Sequence, residues 1–386
     1  AKILYKMRES ITIRNFGPIK EVEIDDIRPF TVFIGESGSG KSTVMKVIVL
    51  FRWIYKMANI RSYLRHANIS QSPFTFEFKA YLKNNGIIDY LKKDTEIIYK
   101  KGGNVITYKN LLDASVATPD DELSLEKMCF IADKRNLIPD ILAAKKNDSV
   151  PMGFYLEETF NDFGIASEFI KELNFDYLGV KYLSKKTNSG VKYYVESLEE
   201  EEKYIINLED SSSGTQTVIP LSLIIEYFSK YYNFKDRFNE IIFKYMSKND
   251  NLKDFRADLN IGDIKHRNIH IHIEEPELSL YPESQRSLIN FIVNKCFIDK
   301  PTDYNMSLMM ATHSPYIINH LNLLIMAGEK NNLEENAQLF LNDVDVFEIV
   351  DGFLNSLKRE EKFIIDTRPL SDPISNIYER YNALNQ

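Results

Sequence analysis

The chain has 386 residues, of which 44% are hydrophobic and 27% are charged, and its formal net charge is -8 at pH 7. This hydrophobic content provides for a sizeable core and excludes a globally disordered chain. The negative net charge argues against a protein that coats nucleic acid over its whole surface, although a local basic groove remains compatible with it.

The two cysteines, Cys129 and Cys296, belong to no CxxC or Cys/His cluster, so we expect free thiols rather than a metal site or a disulfide. No apolar segment follows a basic stretch at the start of the sequence, as a signal peptide would require. The apolar run Val44–Tyr55 contains Lys46 and Arg52 and is too short to span a bilayer. These features predict a soluble cytoplasmic protein without a membrane partner.

The first predicted elements are the strands Ile11–Arg14, Glu21–Ile27 and Phe30–Ile34, followed by a glycine-rich loop and a long helix over Val44–Arg65. The loop matches G-x-x-x-x-G-K-[ST] and lies between a strand and a helix, which is the context that such a phosphate-binding loop requires. Its residues are Gly35, Glu36, Ser37, Gly38, Ser39, Gly40, Lys41, Ser42 and Thr43.

The chemistry of this loop follows from its residue types. Glycines allow backbone N–H groups to surround a phosphate chain, and the following helix directs its positive end there. Lys41 is expected to reach the β- and γ-phosphates, and the hydroxyl of Ser42 is expected to bind Mg²⁺.

The range 71–204 contains no motif to which we assign chemistry. Its predicted elements are a helix at Phe76–Lys92, a hairpin at Glu96–Lys109 turning at Lys101–Asn104, a helix at Phe154–Leu173, and a hairpin at Tyr177–Glu196 turning at Asn188–Gly190. In Phe130–Arg135, the charged residues favour a strand exit with a solvated charge cluster, and Asp133 and Arg135 receive no role.

Ser213, Gly214, Thr215 and Gln216 precede an amphipathic helix predicted at Thr217–Tyr232. Serine and glycine at a helix N-terminus favour anion binding, although an ordinary serine N-cap has the same composition. A helical insertion is expected near Asp236–Ala257.

The buried strand predicted at Asn268–Ile273 ends in Glu274 and Glu275. Because successive strand residues point to opposite sides, one carboxylate can face a metal and the other an attacking water. We expect Glu274 to hold Mg²⁺, through water, and Glu275 to orient or deprotonate the water.

The next predicted elements are the helix Pro282–Val293 and the strand Ser307–Ala311, which ends in Thr312–Pro315. His313 in this segment could hydrogen-bond a γ-phosphate oxygen or the attacking water. His270 and His272 alternate with isoleucines, so we favour hydrogen-bonded core histidines over metal ligands.

The four motifs in this order resemble the ABC-class ATPases of the group that contains SMC, RecF and OLD (overcoming lysogenization defect) proteins. Ser213, Gly214 and Gln216 resemble the S-G-x-Q part of their signature, and Ile273–Pro282 is similar to their Walker B and D-loop. The entry Arg14–Ile19 resembles a segment that lies near the base and ribose, which implicates Arg14 and Asn15. The resemblance covers about residues 8–45 and 208–380. Departures are Ser279 and Tyr281, where OLD-like proteins often carry histidines, and the lack of a clear Gln-loop.

The resemblance implies an α/β P-loop NTPase of ABC-ATPase type, with a mixed central sheet and helices on both faces. The ATPase core would comprise residues 1–70 and 205–386, and 71–204 would be an inserted lobe of helices and β-hairpins. It also implies Mg-dependent ATP hydrolysis by a head-to-head homodimer or a higher homo-oligomer.

Within this group, we expect a switch ATPase of anti-phage defence, similar to OLD-like ATPases of the PARIS or retron-associated type that lack a Toprim domain. Its effector, a nuclease and possibly a Toprim protein, would be a separate chain. The alternative is a RecF-like DNA-repair ATPase that binds DNA, so nucleic acid remains a possible partner. A transporter nucleotide domain is disfavoured by the Glu-Glu-Pro-Glu ending of the acidic strand and by the large middle segment.

Overall fold

The computed structural model describes residues 7–66, 77–144, 152–188, 190–199, 201, 203–237, 240, 264–334, 336–359 and 364–384. An eleven-stranded sheet dominates these residues, in the order β6-β5-β4-β1-β2-β15-β14-β3-β13-β12-β7. Its strands are β1 (Glu9–Phe16), β2 (Ile19–Ile24), β3 (Phe30–Ile34), β4 (Leu91–Lys101), β5 (Asn104–Lys109), β6 (Leu111–Asp113), β7 (Ser124–Ile131), β12 (His266–Glu274), β13 (Asn305–Thr312), β14 (Val344–Val350) and β15 (Phe353–Ser356).

The sheet has a parallel half and a mainly antiparallel half. The neighbours β14, β3, β13, β12 and β7 pair in parallel, whereas β1 pairs antiparallel with both β2 and β4. Every residue of β3 is buried, as expected for a central strand that is covered on both faces. The prediction of a mixed central sheet is confirmed.

Helices cover both faces of this sheet. They are α1 (Lys41–His66), α2 (Phe78–Asn84), α3 (Ile138–Ala143), α4 (Phe154–Phe169), α5 (Ser213–Lys230), α6 (Pro282–Val293), α7 (Pro315–Glu329) and α8 (Arg368–Leu384). Alternate residues of β3 enter different cores: Val32 packs in one with α5, α6 and α7, and Phe33 packs in the other with the first half of α1. This alternation follows from the period of two along a strand.

The range 71–204 contributes to two sheets. Strands β4 to β7 belong to the large sheet, where β4 pairs with β1 and β7 pairs with β12. A four-stranded antiparallel sheet contains β8 (Glu172–Phe175), β9 (Val180–Thr187), β10 (Gly190–Ser197) and β11 (Ile205–Asn207). A small pair, β16 (Lys358–Arg359) with β17 (Ile364–Ile365), precedes α8. The division into a core and an inserted lobe stays a prediction.

Two predicted helices are shorter in the structure. The helix predicted to run to Lys92 ends at Asn84, because Gly86 adopts a φ of 69° that favours glycine and ends helices, and β4 already begins at Leu91. The helix that starts at Phe154 ends at Phe169 and is followed by β8.

Both predicted hairpins are confirmed. Lys101 pairs with Asn104, and Thr187 pairs with Gly190. Both cysteines are free and buried, as predicted. No helix within the described residues is long and apolar enough to cross a membrane. The predicted insertion Asp236–Ala257 lies, for most of its length, outside the described residues.

Candidate active site

The predicted chemistry-bearing residues follow strands that end at one edge of the sheet. Because β3, β13, β12 and β7 are parallel neighbours, the segments after Ile34, Thr312, Glu274 and Ile131 all leave this edge. The glycine-rich loop, the acidic pair, the histidine segment and the turn that contains Arg135 are therefore brought together by strand order alone.

The glycine-rich loop connects β3 directly to the first residue of α1, which is Lys41. The Lys41 ammonium is buried and donates to the carbonyl oxygens of Gly35 (2.9 Å) and Glu36 (2.7 Å). Burial lowers the pKa of Lys41, while the nearby carboxylates of Glu275 and Glu277 oppose this shift. A desolvated ammonium enclosed by its own loop is a strong phosphate-binding group.

The loop has the shape and the free groups that a phosphate chain requires. Gly40 adopts a φ of 108°, and a Cβ there would come within 2.5 Å of the Ile19 side chain, so only glycine fits. The hydroxyl of Ser39 is buried and has no hydrogen-bond partner among the described residues. Along the rest of the loop, Glu36, Ser37 and Gly38 are exposed, Gly35 and Ser42 are half-buried, and Thr43 is buried.

His313 links the glycine-rich loop to the acidic pair. Its Nδ1 lies 3.4 Å from the Lys41 ammonium, and its Nε2 lies 3.5 Å from a carboxylate oxygen of Glu275. Nδ1 can accept from Lys41 only when the ring is neutral, with its proton on Nε2 toward Glu275, whereas a protonated ring places a positive charge beside Glu275. The side chains of His313 and Glu275 are 34% and 37% exposed, so both can reach a bound molecule.

Glu275 has an unusual backbone and an unusual charge environment. Its φ is 46°, a left-handed conformation that costs energy for a residue with a side chain. Burial raises the pKa of the Glu275 carboxyl; the charge of His313 opposes this shift, whereas nearby carboxylates, Glu277 first among them, add to it. A carboxylate whose pKa is raised is a better proton acceptor at neutral pH than an ordinary glutamate.

Glu274 is the last residue of β12. Its carboxylate is buried and lies 3.1 Å from the Lys46 ammonium, which belongs to α1 and also lies over the Tyr155 ring. The two adjacent carboxylates thus have different partners, and Glu275 lies beyond the end of the strand, with a φ of 46°. Lys46 was not predicted, because nothing in its local sequence distinguishes it from a surface lysine.

Glu277 fixes the histidine segment. Its carboxylate accepts the backbone N–H of His313 (2.6 Å) and the hydroxyl of Thr312 (2.8 Å). These two hydrogen bonds join the end of β12 to the end of β13 beside the His313 ring. The position of Glu277 in the motif was recognised in the sequence, but this supporting contact was not.

The helix that contains the serine-glycine segment begins one turn earlier than predicted. α5 begins at Ser213 rather than Thr217, and Ser212 provides the N-cap by accepting the N–H of Thr215. Ser213 is exposed, and a Cβ on Gly214 would lie 3.0 Å from the carbonyl oxygen of Ser279. The Gln216 amide is already used, since it donates to the carbonyls of residues 209 and 211.

The entry segment contacts the glycine-rich loop, but Arg14 does not join the cluster around Lys41. The Arg14 guanidinium pairs with the carboxylates of Glu21 and Glu96, each at 2.9 Å. Asn15 has a φ of 54°, and its carbonyl accepts the hydroxyl of Thr95. A role of Arg14 and Asn15 near a base or a ribose stays a prediction.

Arg135 is the residue that sequence reasoning most clearly misjudged. The expectation of a solvated charge cluster is wrong for it, because Arg135 is fully buried. Its guanidinium donates to the carbonyls of Glu274 (2.8 Å) and Glu275 (2.7 Å). The available signals were an arginine placed shortly after a buried strand and a resemblance of Phe130–Arg135 to an arginine-bearing segment of the SMC, RecF and OLD group.

The two histidines of β12 are hydrogen-bonded core residues, as predicted. His270 contacts Glu126 and Ser307, each at 2.6 Å, and His272 contacts the Cys129 carbonyl at 2.9 Å. Burial lowers the pKa of His270 to about 4, so its ring is neutral at physiological pH.

Comparison with known proteins adds a family match for the first part of the chain. Residues 7–154, which include the glycine-rich loop, match the AAA ATPase domain. A comparison with curated proteins finds no match.

Solved structures of several ATPases are similar in fold. The SMC head domain from Thermotoga maritima is 12% identical, with a TM-score of 0.39, covering 92% of this chain and 100% of that one. The recombination mediator RecF bound to ATPrS is 9% identical, with a TM-score of 0.36 and coverages of 91% and 98%. A dimeric ATP-binding cassette bound to ADP and Pi is 13% identical, with a TM-score of 0.30 and coverages of 90% and 99%.

Because each of these TM-scores is below 0.5, these structures do not support an activity. The ATPase activity follows from the family match and the site residues. The matched domain contains Lys41, and strand order brings Glu275 and His313 to it. The chain is an ATP-hydrolysing enzyme of the P-loop class.

Proposed function

We propose that this edge of the sheet binds Mg-ATP, with Lys41 on the phosphates and Glu275 aligning the attacking water. The observation that carries this proposal is the position of His313, which lies within 3.5 Å of both Lys41 and Glu275. A γ-phosphate held by Lys41 would thus lie next to the groups that handle the water. The raised pKa of Glu275 suits it to accept a proton from that water.

The residues present fit a magnesium ion that is also held by phosphate oxygens. Ser42 and Glu274 supply the hydroxyl and carboxylate oxygens that Mg²⁺ prefers, and bound Mg²⁺ would neutralise charge on the phosphates. Among the described residues, no three His, Cys, Asp or Glu side chains are grouped to hold a metal ion by themselves. Lys46 already neutralises Glu274, which is consistent with binding of the metal through water.

We further propose that ATP closes a head-to-head homodimer. Ser213 is exposed at the start of α5, and Gly214 packs against the segment that follows the acidic pair. In that segment Tyr281 is 79% exposed, so a large side chain is available for a partner. The signature residues Ser213 and Gly214 would complete the nucleotide site of the second copy, in keeping with the resemblance to ABC-class ATPases.

A γ-phosphate at such an interface binds the closed dimer far better than the open one, which is the property that a switch requires. We propose that this switch controls a separate effector protein, in keeping with the resemblance to OLD-like ATPases of anti-phage systems. The alternative is a RecF-like DNA-repair ATPase. ATP-stimulated binding to gapped DNA by the purified protein would favour the alternative, and co-purification with a nuclease encoded beside it would favour the switch.

The decisive experiment replaces Glu275 by glutamine. Glu275→Gln removes the proton acceptor but keeps the size of the side chain, so we expect kcat to fall on the order of 100- to 10,000-fold. ATP binding should persist, and light scattering should show a stable dimer. Lys41→Ala should abolish ATP binding.

The exposed Glu283→Gln is the matched control, because Glu283 lies outside the cluster and its ion pair within the described part of the chain is a local one with Arg286. It should keep the turnover of the wild type. Undiminished turnover of Glu275→Gln would refute the assignment of the catalytic carboxylate.

A further inference from the structure

Arg135 is a buried cation that binds only main-chain carbonyls among the described residues. It lies in the turn Asp133–Leu137 after β7 and is 0% exposed. Besides Glu274 and Glu275, its guanidinium donates to the carbonyls of Ala132 (3.1 Å) and Thr217 (3.2 Å). Burial of Arg135 is costly, and the nearby carboxylates, Glu277 first among them, offset part of this cost without forming an ion pair with it among the described residues, which indicates a positional role rather than a gain in stability.

These carbonyls belong to segments that are far apart in the sequence. Glu274 is the last residue of β12, and Glu275 follows it with its strained φ of 46°. Thr217 lies in the second turn of α5, directly after the serine-glycine segment. A second contact joins the same two segments, since Gly214 lies against the carbonyl of Ser279. The planar guanidinium can bind acceptors in several directions at once, which an ammonium cannot do in the same geometry.

We propose that Arg135 is a positioning residue that couples the start of α5 to the backbone of Glu275. This proposal rests on the proposed function, in which the start of α5 completes the nucleotide site of the partner subunit and Glu275 acts in the nucleotide site of its own subunit. If the start of α5 moves when it binds the partner's nucleotide, the hydrogen bonds of Arg135 carry that movement to the Glu274–Glu275 backbone. The position of Glu275 in each subunit therefore depends on the position of its own signature segment.

The test compares Arg135→Lys with Arg52→Lys. Arg52 is also buried, but its guanidinium pairs with Glu9 and His272 rather than with the Glu274–Glu275 backbone, so the same substitution there controls for general destabilisation. For Arg135→Lys we expect binding of a fluorescent ATP analogue within about threefold of the wild type and a kcat lowered on the order of 100-fold. The wild type should gain turnover per subunit with protein concentration, whereas Arg135→Lys should not.

Amide hydrogen exchange tests the coupling between the start of α5 and the Glu275 backbone without relying on ATP hydrolysis. In Arg135→Lys, exchange should rise together at residues 274–277 and 213–219, and in Arg52→Lys it should rise at neither. A rise at only one segment, or a loss of kcat no larger than that of Arg52→Lys, would overturn the coupling. Failure of the proposed function gives a different result, namely a wild type that lacks turnover or a Glu275→Gln variant that retains it. In that case the hydrogen-exchange comparison still tests whether Arg135 couples the start of α5 to the Glu274–Glu275 backbone.

Discussion

The carboxylate of Glu275 is partly buried and lies near three other acidic groups. Burial raises its pKa, the charge of His313 opposes the shift, and Glu277, Asp133 and Glu274 add to it. The base must be ionised to act, so turnover should be full above the raised pKa and should decline as pH falls through it. Asp133→Asn removes one negative neighbour, which lowers the pKa of Glu275. The acid limb of the kcat profile should therefore move to lower pH, and the shift should be modest because the site is partly open to solvent.

Asp140→Asn provides the control, since Asp140 is an exposed residue of α3 in the same part of the chain. It should leave the acid limb in place. A limb that moves to higher pH in Asp133→Asn, or that moves equally in both variants, would contradict this account of the Glu275 environment.

The residues that were predicted and those that were missed differ in where their partners come from. Lys41, Glu275 and His313 each follow a strand within a local motif, so residue type and spacing were sufficient to find them. Arg135 has acceptors in three separated segments, around residues 132, 217 and 274. Its burial is decided by how those segments pack, and no local pattern carries that information.

At the scale of single elements, α7 packs closely against the segment around Leu339. Gly328 allows this close approach because it has no side chain. Gly328 is buried near the end of α7, and an added Cβ would overlap the carbonyl oxygen of Leu339. The backbone N–H of Leu339 in turn donates to the carbonyl of Leu324 in α7, at 3.0 Å. Gly328→Ala must push the two segments apart, so we expect the free energy of unfolding to fall by about 2 kcal/mol or more in urea denaturation.

Gly164→Ala in α4 is the matched substitution, because an added Cβ there meets no atom within 4 Å. Alanine is the better helix former, so this variant should gain about 0.5–1 kcal/mol. Equal effects of the two substitutions would mean that the contact between Gly328 and Leu339 does not hold α7 in place.

Element types were predicted best where a signal is local. The turn of the β4–β5 hairpin was placed correctly because Gly102 adopts a φ of 57° between paired strands. The pairing of β7 with β12 was not predicted, since it joins Ser124 to His266 across a long stretch of chain. The alternation of apolar and polar residues shows that a strand has a buried side, but it does not identify the strand that pairs with it.

For the whole molecule, the parallel half of the sheet explains why distant motifs form one site. The order β3-β13-β12-β7 places the phosphate loop two strands from the acidic pair, with His313 directly after the strand between them. Ser213 lies on a different element, at the exposed start of α5. A subunit thus has a complete Lys41–His313–Glu275 cluster and a separate exposed segment that can serve a second copy.

This arrangement predicts complementation between two inactive variants. Lys41→Ala lacks a functional phosphate loop but keeps its signature segment, and Ser213→Arg obstructs the signature segment but keeps the loop. In a mixed dimer, the loop of the second variant meets the intact signature segment of the first, so one of the two sites is whole. With random exchange of subunits, half of the dimers are mixed, and the mixture should recover about a quarter of the wild-type turnover.

Lys41→Ala mixed with Glu275→Gln serves as the control. Both substitutions damage the same cluster, so every site in that mixed dimer lacks either the lysine or the carboxylate, and the mixture should stay inactive. Measured as phosphate release from equimolar mixtures, recovery in the first pair alone means that Ser213 acts on the partner's nucleotide. If neither pair recovers although the subunits exchange, Ser213 acts within its own subunit, and ATP-driven closure of a head-to-head dimer is the wrong mechanism for this protein.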